Sequence, residues 1–171
     1  MCTNALQSSA NQRGLTLIEL LVTLAIAGVL IGVAAPSFNE FAAQRSLTTQ
    51  VNHFILAAAL ARSEAIKRGT QVSVQAIDSS DSDNEWGSGW CVVVGNPGDC
   101  AAPLRRFDDL DGNSLNGEGA LDSVDSVVYN SRGLMVGGLA DSMQLCAEGV
   151  ATGRRLNISV IGRVDSEDAG C

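Results

Sequence analysis

The sequence has little of what most enzymes and nucleic-acid-binding proteins use. Its 171 residues include one histidine, 4% aromatic residues, and no HExxH, GxSxG, Walker-type glycine loop or CxxC motif. These absences argue against a histidine-based enzyme, and we expect no catalytic residue, no cofactor and no metal ion. Basic residues are also few, 11 against 19 acidic ones, and the net charge of −8 argues against a protein that coats DNA through bulk electrostatics.

The charges are distributed unevenly along the chain. Residues 15–68 contain three acids and four bases, whereas residues 69–171 contain 16 acids and six bases. The apolar content of 46% is enough for a packed core and argues against wholesale disorder. The chain is therefore interpreted as a near-neutral apolar front followed by an acidic globular rear.

A long apolar run dominates the front. Residues 15–35 (LTLIELLVTLAIAGVLIGVAA) carry one charge, Glu19, and a helix of this length spans the roughly 30 Å hydrocarbon core of a bilayer. A buried core helix and a cleaved secretory signal peptide are the alternatives. The run is longer than a signal-peptide core, contains an acid, and follows a processing-type sequence, Arg13-Gly14. We therefore predict a retained transmembrane segment over residues 15–35.

Glu19 is the most informative residue of this run. An ionised carboxylate inside an apolar helix costs roughly 2–3.5 kcal/mol on lenient insertion scales, and such groups usually have a partner. If the chain is cut after Gly14, the new α-amino group of Leu15 on a neighbouring copy supplies a cation. We predict that Glu19 pairs with that amine when helices stack. A glutamate that simply lies at the membrane interface is the alternative.

Residues 13–20 (RGLTLIEL) resemble the prepilin cleavage and methylation motif of type IV pilins and type II secretion pseudopilins. The resemblance implies that a prepilin peptidase cuts between Gly14 and Leu15, removes residues 1–14 as a leader, and methylates Leu15. It also implies that Glu19 guides assembly. Leu15 stands where the family usually has phenylalanine, and it keeps the first mature residue apolar.

The pattern of residues 36–68 predicts that this segment is the amphipathic periplasmic half of the same helix. Pro36 removes a backbone donor and clashes with the preceding turn, so we predict a helix kink there. Lys67 and Arg68, followed by Gly69, indicate the helix C-terminus. Apolar residues recur mostly at spacings of three and four, at Phe38, Phe41, Leu47, Val51, Phe54, Ile55, Ala58, Ala61 and Ala65.

Residues 69–171 predict a small, mainly antiparallel β domain, which makes the whole chain an α+β protein of the pilin-like type. About six or seven strands are expected, because short, often alternating or β-branched segments are separated by turn-rich linkers. These segments are 70–77, 90–94, 126–130, 133–136, 143–147 and 155–161.

Two acidic linkers are candidate weak calcium loops, one at Asp81, Asp83 and Glu85 and the other at residues 109–113 (DLDGN). Counted from Asp109, the second has neither the glycine nor the closing glutamate of an EF-hand at the required positions. Solvated turns are the favoured interpretation of both.

Four cysteines remain once Cys2 leaves with the leader, and they allow three pairings. We favour Cys91–Cys100, because a turn-rich GNPGD sequence makes this pair local, and Cys146–Cys171 then follows. The other pairings and free buried thiols stay open. An even number of cysteines indicates an oxidising compartment, which places the β domain in the periplasm and the N-terminus in the cytoplasm.

Residues 45–75 are similar to the helix-to-first-strand region of the GspH/FimT family of minor pseudopilins and minor pilins, most diagnostically over residues 61–69 (ARSEAIKRG). Residues 86–90 (WGSGW) resemble the tryptophan-containing strand entry of the same family. The resemblance implies a single-pass inner-membrane protein that is assembled at or near the tip of a periplasmic pseudopilus or type IV pilus. Its implied partners are other pilins, which pack through the N-terminal helix, the prepilin peptidase and the inner-membrane assembly platform.

The first alternative function is that of a DNA-binding minor pilin of the FimT type. Its candidate contacts are Arg154, Arg155 and Arg163, but three acids follow within residues 165–168. Phosphate binding needs several uncompensated cations, so a nucleic-acid partner is not favoured. A signal-anchored periplasmic enzyme is the second alternative, and it would need a catalytic constellation that the sequence does not display.

Overall fold

The computed structural model describes residues 15–80, 84–95, 100–122, 124–138 and 140–171, with the backbone alone for residues 33–37. The chain divides into a first unit that ends at Asn39 and a second unit, Glu40–Cys171, and each is described by itself. One long helix, α1 (Leu17–Arg68), begins in the first unit and ends in the second.

Eight strands follow α1 in the described part of the second unit. They are β1 (Val72–Ala76), β2 (Trp90–Val94), β3 (Arg105–Phe107), β4 (Ser114–Gly117), β5 (Ser126–Tyr129), β6 (Asp141–Cys146), β7 (Thr152–Ile158) and β8 (Val164–Gly170), with a short 3-10 turn at Gly119–Leu121. The strands form two four-stranded sheets in the orders β3-β2-β1-β5 and β4-β6-β7-β8, and every pairing is antiparallel. The α+β class predicted from the sequence is confirmed.

The core of the second unit forms where one face of α1 is buried together with residues of both sheets. The buried apolar helix residues recur mostly at spacings of three and four, which places them on one face: Leu47, Val51, Phe54, Ala57, Ala58, Ala61 and Ala65. Phe54 packs edge-on against Trp86 and Trp90, with ring centroids 5.4 and 5.3 Å apart. Each such aromatic pair stabilises the fold by about 0.5–1.5 kcal/mol beyond the contribution of the apolar area that it buries.

The apolar face of α1 is shorter than the sequence pattern predicts. Phe38 and Phe41 belong to the predicted stripe, but their side chains are 69% and 55% exposed. The guanidinium of Arg45 lies 4.9 Å from the centre of the Phe41 ring, an exposed cation–π contact. Burial of the stripe in the second unit begins at Leu47.

Three of the strands were not expected from local pattern. Strand β4 lies in a linker interpreted as an acidic loop, and β3 and β8 carry mostly exposed side chains. Each forms because a neighbouring strand supplies its hydrogen bonds: β2 pairs with β3, β6 with β4, and β7 with β8. The expected strand at 133–136 makes only one isolated bridge, between Met135 and Tyr129.

Pro36 lies within α1, and its side chain is outside the described set. The predicted kink at Pro36 therefore stays a prediction.

Two disulfides hold the β-sheets, and they are the pairs favoured from the sequence. Cys91 of β2 bonds to Cys100, with the Cα atoms 5.9 Å apart. Cys146, the last residue of β6, bonds to Cys171, with the Cα atoms 5.8 Å apart. The second bridge ties the end of the chain to the sheet whose outer strand, β8, is almost entirely exposed.

Tyr129 links the end of β5 to the turn between β7 and β8. Its side chain is fully buried, and its hydroxyl donates a hydrogen bond of 3.2 Å to the carbonyl oxygen of Gly162. Gly162 has a φ of +73°, and an added Cβ would collide with the Tyr129 ring. Burial raises the pKa of Tyr129 to about 12, although the nearby charge of Arg62 acts in the opposite direction.

We expect removal of the Cys146–Cys171 bridge to lower the free energy of unfolding by about 2–4 kcal/mol, because the unfolded chain is then less constrained. The measurement is urea unfolding of the full chain in detergent, comparing Cys146→Ser/Cys171→Ser with the unaltered protein. The Cys91→Ser/Cys100→Ser pair is the matched control. Cys91 and Cys100 are 9 positions apart in sequence, against 25 for Cys146 and Cys171. Removing the shorter bridge should therefore lower the free energy of unfolding by less. Equal losses, or no loss, would contradict the loop-length argument.

We also expect the fold to lose stability as the pH rises from about 10 to about 12, because the raised pKa of Tyr129 means that the folded state resists forming the phenolate. Tyr129→Phe should remove this part of the alkaline loss, while costing about 1 kcal/mol at neutral pH through the lost hydrogen bond. Tyr129 is the single tyrosine, so phenolate absorbance follows it directly. A phenolate midpoint near 10 in the folded protein would show that this account is wrong.

Candidate functional site

The first turns of α1 expose an apolar surface on all sides. Eleven large apolar side chains between residues 15 and 31 are 49–76% exposed: Leu15, Leu17, Ile18, Leu20, Leu21, Val22, Leu24, Ile26, Val29, Leu30 and Ile31. The one charged residue among them is Glu19. A contiguous apolar surface of this kind marks contact with other apolar surfaces, from protein or lipid.

Within the part of the chain that the structure describes, no helix meets the length and hydropathy expected of a membrane span. The predicted transmembrane segment, residues 15–35, includes positions 33–35, whose side chains lie outside the described set. That segment stays a prediction.

Glu19 lies in the first turn of α1, three residues after the residue that caps the helix. The hydroxyl oxygen of Thr16 accepts a hydrogen bond of 3.3 Å from the backbone N–H of Glu19. The backbone carbonyl of Thr16 accepts the N–H of Leu20 at 3.2 Å. Thr16 is therefore the N-cap, and Glu19 occupies the third helical position, where an acid also interacts favourably with the helix dipole.

The capping role of Thr16 was missed when the sequence was interpreted. The signal was present, because Thr16-Leu-Ile-Glu19 has the S/T-x-x-E spacing of a capping box. Glu19 therefore has a role in helix capping at this position, in addition to the role in assembly predicted from the sequence. The proposed processing site, between Gly14 and Leu15, lies half outside the described residues, since Gly14 precedes them.

The three candidate DNA-contacting arginines do not form one basic surface. Arg154 on β7 forms an ion pair with Asp168 on β8. The Nε atom of Arg155 lies 3.2 Å from a carboxylate oxygen of Glu118. Arg163 is exposed in the turn between β7 and β8. Two of the three cations are thus compensated by carboxylates, which weakens any phosphate-binding role.

The candidate calcium loops serve as turns where they are described. A carboxylate oxygen of Asp109 accepts the N–H of Asp111 at 3.0 Å, and Asn113 donates from Nδ2 to Gln50 on α1 at 2.8 Å. Asp81 and Asp83 lie outside the described residues, and Glu85 is 2% exposed. Among described residues, no group of three or more His, Cys, Asp or Glu side chains is arranged to hold a metal ion.

A capped apolar N-terminal helix that continues into a core of antiparallel sheets is the architecture of a pilin-like protein. Comparison with protein families identifies the group more closely. Residues 50–162 match the family described as Type II transport protein GspH, and residues 9–35 match the prokaryotic N-terminal methylation motif. The chain belongs to the GspH family, the GspH/FimT-type minor pilins and pseudopilins.

Individual relatives agree with this assignment. The type IV minor pilin FimU of Pseudomonas aeruginosa is similar in structure, with a TM-score of 0.62 and 28% identity over 74% of this chain and 92% of FimU. A second crystal form of FimU gives a TM-score of 0.59 and 29% identity over 71% of this chain and 92% of FimU.

A curated relative is similar over a shorter stretch. The pilin-like protein PilA1 of Thermus thermophilus is 49% identical over 69 residues, which is 37% of this chain. The match spans 40% of the length of PilA1.

Proposed function

We propose that the chain is a structural minor pseudopilin or minor pilin without enzymatic activity, supporting protein secretion or pilus biogenesis. A prepilin peptidase cuts between Gly14 and Leu15 and methylates the amine of Leu15. The mature protein is held in the inner membrane by a single pass over residues 15–35, with its β domain in the periplasm. It is then packed at or near the tip of a pseudopilus or type IV pilus.

The observation that carries this proposal is the position of Glu19. It is the one charge on an exposed, otherwise apolar helix surface, and it lies within the residues that match the N-terminal methylation motif. An apolar surface of this extent needs an apolar environment. Lipid supplies that environment before assembly, and the helices of neighbouring subunits supply it afterwards.

Pairing with the N-terminus of a neighbouring subunit offsets the free-energy cost of burying the Glu19 carboxylate. Inside a helix bundle an isolated carboxylate is expensive, whereas a carboxylate paired with an amine is tolerated. The α-amino group of Leu15 on an adjacent subunit is a cation at the matching end of an identical type of helix. The capping geometry at Thr16 holds Glu19 at the first turn, so the carboxylate is positioned near the helix end where such an amine arrives.

The two disulfides support a periplasmic location for the β domain, because such bonds persist in oxidising compartments. Insertion and extraction require the inner-membrane assembly platform as a partner, together with other pilins that contact the N-terminal helix.

We expect Glu19→Ala to leave removal of residues 1–14 intact and to block incorporation into filaments, because the charge that attracts the neighbouring amine is gone. The measurements are mass spectrometry of the cell-derived protein and quantification of the chain in sheared filament fractions.

Glu19→Gln separates the two roles of this residue. Glutamine keeps the capping-box spacing but has no charge, so it should preserve the helix start and still fail to assemble. Normal incorporation of the glutamine variant would show that charge pairing is not the role of Glu19. A cell-derived chain that retains residues 1–14 would contradict the processing step itself.

A further inference from the structure

A groove on the second unit carries two arginines that no carboxylate of the described residues compensates. It lies between one face of α1 and the turn that joins β7 to β8, and its volume is about 410 Å³. We call it the arginine groove and define it by Ile55, Ala59, Arg62, Ser63 and Ile66 of α1, together with Gly162–Val164. It is separate from the N-terminal apolar segment and from the two compensated arginines described above.

The walls of the groove are mainly apolar or small. Ile66 is 52% exposed, Ile55 is half-buried, and Ala59 is exposed on the helix surface between them. Residues 55, 59, 62 and 66 follow helical spacing, so they form one row along α1. Ala59 is the small side chain in this row, and it leaves room for another chain to approach the helix closely at that point.

The opposite wall is a preorganised turn. The N–H of Ser159 donates to the carbonyl of Arg163 at 2.9 Å, and the N–H of Gly162 donates to the carbonyl of Ser159 at 2.7 Å. The buried hydroxyl of Tyr129 donates to the carbonyl of Gly162 from below. Because these bonds hold the turn, a ligand in the groove does not have to order it.

The charge of the groove is opposite to that of the domain around it. Among the described residues, neither Arg62 nor Arg163 forms an ion pair with a carboxylate, and no acidic side chain lines the groove. Asp165, the acid nearest to Arg163 in sequence, lines a different cavity together with Asp141. Residues 69–171 carry 16 acids against six bases, one of which is Arg163, so the groove differs in charge from the domain as a whole.

We propose that the arginine groove is a docking site for an apolar segment of a different pilin-type subunit that brings a carboxylate to Arg62 and Arg163. The proposal rests on the proposed function, because it needs a neighbouring subunit in the filament. An apolar segment matches the walls, and a carboxylate matches the two guanidinium groups, which favour oxyanions through paired N–H donors. A second copy of this acidic chain is disfavoured by its own charge of −8.

The first experiment places a photo-crosslinking amino acid, benzoylphenylalanine, at Ala59 in the full chain within its native host. Ala102 is the matched control, because it is also an exposed alanine but does not line the groove. We expect light to link position 59, and not position 102, to another pilin-type subunit. The linked peptide should contain an aspartate or glutamate beside apolar residues.

The second experiment tests the charge. Arg62→Glu/Arg163→Glu should reduce the adduct about tenfold or more, since like charges then oppose each other. Replacing the linked acid of the partner with arginine should restore the adduct. Arg105→Glu/Arg106→Glu makes the same change in net charge outside the groove and should leave the adduct unchanged. Arg62→Gln/Arg163→Gln removes both charges without reversing them. It should also weaken the adduct at position 59, and it keeps the charge test valid if the reversed variant fails to fold.

Several outcomes would overturn the proposal. One is normal incorporation without any adduct at position 59, and another is an adduct with a second copy of this chain. A third is that the protein binds duplex DNA at low salt and that Arg62→Glu/Arg163→Glu abolishes this binding. That result would assign the groove to nucleic acid. Absence of the unaltered chain from filaments would contradict the proposed function itself. Failure of the docking proposal is therefore distinguishable from failure of the proposed function.

Discussion

The burial of one apolar face of α1 together with both sheets is the interaction on which the second unit depends. Leu47, Val51 and Phe54 begin a row that continues through four alanines, the last of which is Ala65, and the small alanines let the helix lie close to the strands. Phe54 contacts two buried tryptophans, Trp86 shortly before β2 and Trp90 at the first position of β2. The hydrophobic effect acting on this row orients the part of α1 that lies in the second unit, residues 40–68, and therefore decides which residues of that part remain exposed. Ala59 and Ile66 form part of the arginine groove because they lie on the helix away from that row.

Specific polar contacts then fasten the loops to this core. Gln50 on α1 donates from Nε2 to the carbonyl of Leu110 at 2.9 Å, and Trp86 donates from Nε1 to the carbonyl of Val124 at 3.1 Å. The carboxylate of Asp141 accepts the N–H groups of Ala120 and Ser142, which lowers the pKa of Asp141. Because buried or half-buried polar groups are costly without partners, these bonds also specify how the loops are placed.

The distribution of charge separates two kinds of arginine. Arg154 and Arg155 stand on β7 and face acids from neighbouring elements, so they contribute to the order of the sheet rather than to recognition of a ligand. Arg62 and Arg163 come from a helix and a turn that meet only in the folded domain, and they share a groove with no acid among its described lining residues. Cations left uncompensated in an acidic domain are available to a partner, and this is the physical basis of the docking proposal.

The sequence alone determined the features that depend on short-range pattern. These are the apolar N-terminal run with its single acid, the helical periodicity up to Arg68, the family motif at residues 13–20, and strands such as β2, whose residues 90–94 were predicted as observed. The Thr16–Glu19 cap also belongs here, since its spacing is local. Tertiary structure alone decided β4 and β8, the partners of Arg154 and Arg155, and the groove at Arg62. Each of these depends on groups brought together from distant parts of the chain, and no local propensity encodes which strand edge or carboxylate will arrive.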